Sequence, residues 1–402
     1  MSTRTFTEAT HRVSTGTYLP GRGWSIQSDS CLLSEDDSCS TSLPPVDSAS
    51  TLILLCTSNP TPALTPALAQ IRSHYARSPI LTFAGTAPMH AGHLHPGELT
   101  FAATTFARAT LSSASAPLRN ISDSCNAGKF LGLQLAKPGL RAVILTSTTS
   151  IINADALIEG LYAELGSTTL FGALAPTPHI SPAHTNEHAT VSAVGLFGDS
   201  LRIGTGVRLG LEPFGPPRHI NISNGTIITQ IDGRPALEVY KRLLGPKAAQ
   251  LPGAALLFPL VIKVPGGLLT RAVTQIDEST GSIHTTAPIP QGTYVHLARA
   301  EFDSLINASS EAAWEAAQGT DDLTGVGSSG GSRGACLGLT LACSGRHLLL
   351  GQRADEEASA AMLALPRGSA HLGCYTGAVI APYLHSTHTL SQAIGMLTLR
   401  EE

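Results

Sequence analysis

Residues 140–175 read LRAVILTSTTSIINADALIEGLYAELGSTTLFGALA. The run LRAVILTS at 140–147 is apolar enough to predict a buried strand. Asn153 then offers a side-chain oxygen to the unpaired N–H groups that open a helix. Leu157, Ile158, Leu161 and Leu165 recur at helical spacing and form one stripe, and Gly166 supplies a left-handed stop. TLFGALA at 169–175 reads as a second strand. Strand, helix and strand in succession predict a layered α/β arrangement.

Working outward, the same order recurs upstream. TLILLC at 51–56 is a buried strand. TPALAQIRSHYA follows as a helix, with Pro66 near its start and Leu68, Ile71 and Tyr75 on one face. PILTFAG at 79–85 is the next strand. ATVSAVGLFGDSLRIGTGVRLG at 189–210 alternates and turns at Gly198-Asp199, which predicts a hairpin.

Ile227, Ile228 and Ile231 predict a strand that turns at Gly233. Pro235 suits the first turn of the helix that follows, with Leu237, Tyr240 and Leu244 on one face and Gly245-Pro246 as its end. Asp232 reads as the cap of that helix. Residues 270–299 read as three short strands. SSEAAWEAAQG is a short helix with Ser309 or Ser310 as cap. ACLGLTLACSGRHLLLG reads as a strand region, and QRADEEASAAMLAL as a helix with acids in its first turns.

The chain has 402 residues, 42% of them apolar and 13% charged, with a formal charge of -4. That supports sizeable cores, and a prior of about 150 residues per domain suggests two or three units. No run of Lys or Arg tracks a phosphate backbone, so nucleic acid is not an expected partner. No segment reaches about 18 uninterrupted apolar residues, so no membrane-spanning helix is expected. The first 25 residues lack the apolar stretch of a secretory signal. Arg4, Arg12 and Arg22 beside the single acid Glu8 give a weak likeness to a mitochondrial presequence, but a frayed terminus and a cytoplasmic location are the expectation. The seven cysteines are scattered without a Cys-x-x-Cys pair, and Cys56, Cys336 and Cys343 lie in apolar runs. That pattern fits a reducing interior.

Taken in order, these stretches resemble the FIST family, a domain of bacterial sensory proteins and of a eukaryotic F-box protein. VRLGLEPFGPPRHINISNGTIITQIDGRPALEVYKRLLG is similar to the junction between the two FIST halves. STTSIINADALIEGLYAELGSTTLFGALA is similar to part of the N-terminal half. IPQGTYVHLAR, LACSGRHLLLG and LGCYTGAVIAPYLHSTHTL are similar to closing segments of the C-terminal half. The resemblance implies an α/β (α+β layered) fold in two FIST halves, with mixed sheets and flanking helices. The expected division is a flexible lead-in at 1–48, an N-terminal half at 49–205 and a C-terminal half at 206–395. The latter includes a mobile Gly/Ser-rich segment at 319–334. GCYTGAVI departs from the family turn, with Ala378 where an acid is usual, whereas Glu98 follows Gly97 as a related turn requires. No F-box-like module is expected from residues 1–48.

The family implies small-ligand binding or sensing, with amino acids among the ligands suggested, and an effect passed through a protein partner. The ligand contacts expected are His93, His95 and Glu98 in HAGHLHPGE, and Tyr375, Thr376 and Gly377 in GCYTG. No cofactor or catalytic residue is assigned. Three other chemistries stand beside this reading. His90, His93 and His95 with Glu98 are ligand types for zinc, and one of the histidines for haem. The broken backbone at Gly92, Pro96 and Gly97 favours a polar loop lining a cleft. Cys374, three residues after His371, is the nucleophile of an alternative hydrolase or transferase. A scaffold or degradation adaptor acting by protein contact alone is the third. HSTH at 385–388 reads as an exposed turn. Arg234 and Arg346 are carboxylate-binding types, read first as surface or ion-pair residues.

Overall fold

In the computed structural model the strands Leu140–Ser147 and Thr169–Leu174 form as expected and pair in parallel, with Ala154–Leu165 crossing between them. Asn153 Oδ1 accepts the Ala156 N–H at 3.1 Å, and Gly166 closes the helix at φ 61°. The structure describes residues 11–28, 42–58, 62–176, 189–319 and 335–402. The fold is mixed α and β, with sheets of mixed strand direction and flanking helices.

Three sheets repeat one strand order. In the first, His11–Leu19, Leu99–Phe106, Thr51–Ser58 and Ile80–Gly85 lie side by side. In the second, the same places are taken by Thr110–Leu118, Ala189–Phe197, Leu140–Ser147 and Thr169–Leu174. In the third they are taken by Leu201–Arg208, Ile394–Glu401, Leu337–Cys343 and Ala370–Thr376. In each, the last two strands are parallel with helix between them, and the second strand runs antiparallel to both neighbours.

The sheets are then extended by exchange. The hairpin Pro88–His90 and His93–Leu94 leaves the first unit and pairs with Ala370–Thr376 of the third. The hairpin Ala378–Tyr383 and Ser386–Leu390 leaves the third and pairs with Thr169–Leu174 of the second. A shared core with Leu54, Phe83, Ile144, Phe171, Leu339 and Leu372 lies where the sheets face one another. Helices Ser124–Leu135 and Ala154–Leu165 cover the second sheet. They approach closely because Gly128 and Gly160 carry no side chain. A Cβ on either would stand 2.2 Å from a carbonyl oxygen of the other helix.

Residues 211–300 form an inserted lobe. Its strands wrap the helix Ala236–Leu244 around a separate core of Ile228, Ile231, Leu237, Tyr240 and Ile283.

Several local expectations change. Ala189–Phe197 and Leu201–Arg208 do not pair as a hairpin but join different sheets. Gly198, at φ 125°, donates its N–H to Gly139 O and bends the chain away. Asp232 does not cap the next helix: its carboxylate accepts from Arg218 Nη1 and the His219 N–H. Ser309 is no cap either, because that helix begins at Phe302 and the hydroxyl donates across to Glu357 O of the helix Ala354–Leu363. The strand at Leu337 ends at Cys343, where Ser344–Leu350 turns into helix. Within residues 1–48, His11–Leu19 and Gly23–Ser28 are strands that bury Val13, Trp24 and Ile26. Residues 29–41, with Cys31 and Cys39, and the Gly/Ser-rich residues 320–334 lie outside the described residues.

One buried polar cluster ties the third unit together. Arg346 and Glu357 are both fully buried. Arg346 Nε donates to Glu357 Oε1 at 2.9 Å, and Nη2 donates to the same oxygen. Nη1 donates to Leu209 O and to Gln392 O, and Nη2 to Leu305 O at 2.8 Å. Every guanidinium N–H therefore has a partner. Leu209 and Leu305 stand where the chain leaves for the inserted lobe and where it returns, so one side chain closes both ends. Glu357 Oε2 accepts the Tyr375 hydroxyl at 2.6 Å. Removing one member strands a buried charge. Arg346→Met is expected to lower unfolding free energy by about 3–5 kcal/mol, and Arg346→Met with Glu357→Leu to recover roughly half of that. Denaturant titration of both variants measures it. A double variant no more stable than the single one contradicts the pairing.

Candidate functional site

HAGHLHPGE is not an open loop. Ala91 and Gly92 take φ 48° and 82° and turn it into a two-stranded hairpin. Leu372, Gly373 and Cys374 of the third sheet pair with His90, Met89 and Pro88. The His95 N–H donates to Pro88 O at 2.9 Å. The hairpin segment thus forms the edge of the third sheet, next to the strand that ends at the Tyr375–Gly377 turn.

Each histidine takes its own partner. His90 is buried, with Nε2 3.0 Å from Thr15 Oγ1. His93 is exposed, with Nδ1 3.2 Å from Asp355 Oδ2. His95 is partly covered, with Nδ1 3.1 Å from Glu98 Oε2. His371, on the partner strand, accepts the Gly92 N–H on Nδ1 at 3.1 Å and meets Thr340 Oγ1 through Nε2 at 2.9 Å. Among the described residues no three His, Cys, Asp or Glu side chains converge as a metal-ligand set.

The turn segment is internally committed. Tyr375 is buried with its hydroxyl on Glu357. Thr376 Oγ1 donates to Ala342 O at 3.3 Å, and the Gly377 N–H to Leu174 O at 2.8 Å. This is where strands of the three units meet end on. A Cβ on Gly377 would stand 2.3 Å from Ala175 O, and one on Gly85 2.0 Å from Tyr375 O. Carboxyl ends of parallel strands are where open α/β sheets bind ligands.

Sequence reasoning passed over Thr86, His347, Asp355 and Glu357. Thr86 Oγ1 lies 2.9 Å from His347 Nδ1, and the His347 ring stacks on Tyr375 at 4.7 Å and 11°. Burial holds the His347 imidazole below its ordinary pKa, against the opposing pull of Glu357. Asp355 and Glu357 stand two residues apart on the helix Ala354–Leu363. Asp355 accepts the Leu94 N–H at 2.8 Å and faces His93, while Glu357 holds Tyr375. One helix therefore grips both candidate segments. No spacing in the sequence marks which acids of DEE turn inward.

The remaining candidates separate. Residues three apart in a strand point to opposite faces, so His371 and Cys374 do not meet. Cys374 is fully buried, with Sγ 3.9 Å from Thr57 O. Arg234 is a surface residue paired with Glu238 at 3.2 Å. His385 is exposed in its turn, whereas His388 is half-buried within a strand. A surface hollow of about 480 Å³, lined by Lys137, Pro138, Glu164 and Thr168 among others, contains none of these groups.

Burial drives His90 down to about 3, with smaller pushes from His95, His371 and His93, and burial alone drives His371 down to about 4. Both are neutral in the folded chain at pH 7. Below about pH 6.5 the unfolded chain binds protons there and the folded chain does not, so stability falls as pH falls from about 6.5 towards 4. The slope is up to roughly 1.4 kcal/mol per pH unit for each histidine. Unfolding midpoints across that window are expected to be steeper for the parent than for His90→Asn/His371→Asn. Equal slopes contradict the assignment.

Among the described residues no helix is long and apolar enough to cross a membrane. No characterised protein matches the chain in a search of curated sequences. The family model described as the FIST N domain matches residues 51–234, and the one described as the FIST C domain matches residues 236–382. Together the two matches span most of the chain, from the first parallel strand to the hairpin that completes the second sheet, and the chain belongs to the FIST family.

Proposed function

We propose that this FIST protein is a non-enzymatic sensor that binds a small, amino-acid-like molecule and signals through a protein partner. The observation that supports it most is the shared grip of the helix Ala354–Leu363: Asp355 holds the hairpin of His93, and Glu357, two residues on, holds Tyr375. A ligand that draws His93 from Asp355 pulls on the helix that fixes the turn. His95 and Glu98 form a partly covered imidazole–carboxylate pair at the same hairpin. A zwitterion has the charges to open it, its ammonium facing Glu98 and its carboxylate facing His95. Thr376 and Gly377 close the strand that pairs with this hairpin. A ligand shifts such a protein only through unequal affinity for two arrangements. Two pairings at the hairpin, one exposed and one partly covered, supply the weaker of the two states. The free, buried thiols of Cys56, Cys343 and Cys374 favour a reducing compartment, the cytoplasm.

Native mass spectrometry of the purified chain, against its denatured mass, is the test. The expected result is a mass excess of amino-acid size that is lost on denaturation, or that is restored by adding common amino acids singly. Ligand at 100 times Kd also adds about 2.7 kcal/mol of stability, read as a raised melting temperature. Both signals are expected to be lost in His95→Ala and Glu98→Gln. A bare polypeptide mass with no amino acid raising the melting temperature contradicts the reading.

A further inference from the structure

The HSTH segment belongs to neither the shared core nor the site above. It lies on the hairpin Ala378–Tyr383 and Ser386–Leu390, which is wedged between two other elements. On one side the Tyr162 hydroxyl of the helix Ala154–Leu165 meets Thr387 Oγ1. On the other, the Leu268 N–H of the inserted lobe reaches the Tyr383 hydroxyl at 3.4 Å. Gly267 is crowded against Tyr383 and Leu384, where a Cβ would stand 2.9 Å from the hydroxyl oxygen.

Arg271 ends that lobe strand. Its Nε donates to Pro288 O at 3.1 Å and its Nη1 to Thr270 O at 2.9 Å, so the guanidinium plane is fixed by two carbonyls. Nη2 has no hydrogen-bond partner among the described residues, and no carboxylate of theirs comes within ion-pair distance. The group is half-buried, and a guanidinium keeps its charge in proteins. A partly desolvated cation without a counter-ion is costly. Two titratable groups face it. Asp155, in the first turn of Ala154–Leu165, favours its charge from beyond contact distance. His388, on the hairpin, is held below its ordinary pKa by burial and then by the Arg271 charge. His388 Nε2 meets Ser386 Oγ at 2.8 Å, which leaves Nδ1 for another partner.

We propose that Arg271, with His388 beside it, is a binding site for a small monocarboxylate, formed where the inserted lobe, the hairpin and the helix Ala154–Leu165 meet. The fixed guanidinium presents Nη2 to a carboxylate, the planar anion its fork matches. Asp155 sets the charge limit: one negative charge neutralises Arg271, and a second meets the Asp155 carboxylate. Dianions are disfavoured for that reason. The site shares no residue with His95 and Glu98, so it stands or falls apart from the reading above.

Isothermal titration of the full chain at pH 7.5 with propionate, succinate and inorganic phosphate tests it. Propionate is expected to bind saturably, and succinate and phosphate at least about tenfold more weakly. Arg271→Gln is expected to lose propionate binding while keeping the parent's unfolding midpoint to within about 0.5 kcal/mol. Asp155→Asn is expected to keep propionate and gain succinate, which mere loss of structure would not produce. His95→Ala leaves propionate binding as it is. No saturable propionate heat, equal binding to Arg271→Gln, or succinate binding as tight as propionate in the parent overturns the proposal.

Discussion

The guanidinium of Arg346 is the constraint on which the third unit depends. It is fully buried, and burying it is tolerable only because Glu357 and the carbonyls of Leu209, Leu305 and Gln392 take all of its N–H groups. The carbonyls come from the two ends of the inserted lobe and from the loop before the last strand. The lobe has its own core and adds a long loop to the third unit, so something must hold its ends together at the base. A charge with five directed donors does this with an angular specificity that apolar contacts lack. Tyr375 completes the cluster and carries the constraint into the central sheet edge.

Around that clasp the three units share their sheets. The first lends a hairpin to the third, and the third lends one to the second. The family models divide the chain near residue 235, yet strands from both sides of that point lie in three of the four sheets among the described residues. A displacement of either exchanged hairpin therefore strains a unit other than its own. The helix Ala354–Leu363 reads such a change directly, through Asp355 to the hairpin and through Glu357 to Tyr375.

Much of the local structure was legible. The apolar runs at 51–56, 79–85 and 140–147 are strands, and the Asn153 cap and Gly166 stop stand where side-chain chemistry puts them. Strand partnership was not legible. Ala189–Phe197 and Leu201–Arg208 look like a hairpin, because a Gly-Asp turn between alternating runs is the same in sequence whether the strands pair or part. The repeated strand order was also hidden, since the lobe separates Leu201–Arg208 from the rest of its sheet. The resemblance pointed to two segments, and the structure puts them on or beside neighbouring strands of one sheet. Their common support was invisible: DEE reads as acids favouring a helix N-terminus, and only packing shows that Glu357 turns inward while Asp355 faces the hairpin. Sequence likewise cannot distinguish His90, which is buried, from His93, which is exposed, because the turn at Ala91-Gly92 decides which way each faces.

The central claim is that the three sheets form one interlocked body. Hydrogen exchange followed by mass spectrometry, in increasing denaturant below the unfolding midpoint, tests it most directly. The central strands Thr51–Ser58, Leu140–Ser147 and Leu337–Cys343 are expected to lose protection together, at one free energy equal to that of global unfolding. Protection lost from Leu337–Cys343 at a free energy well below that of the other two would show separately folding halves and contradict the account.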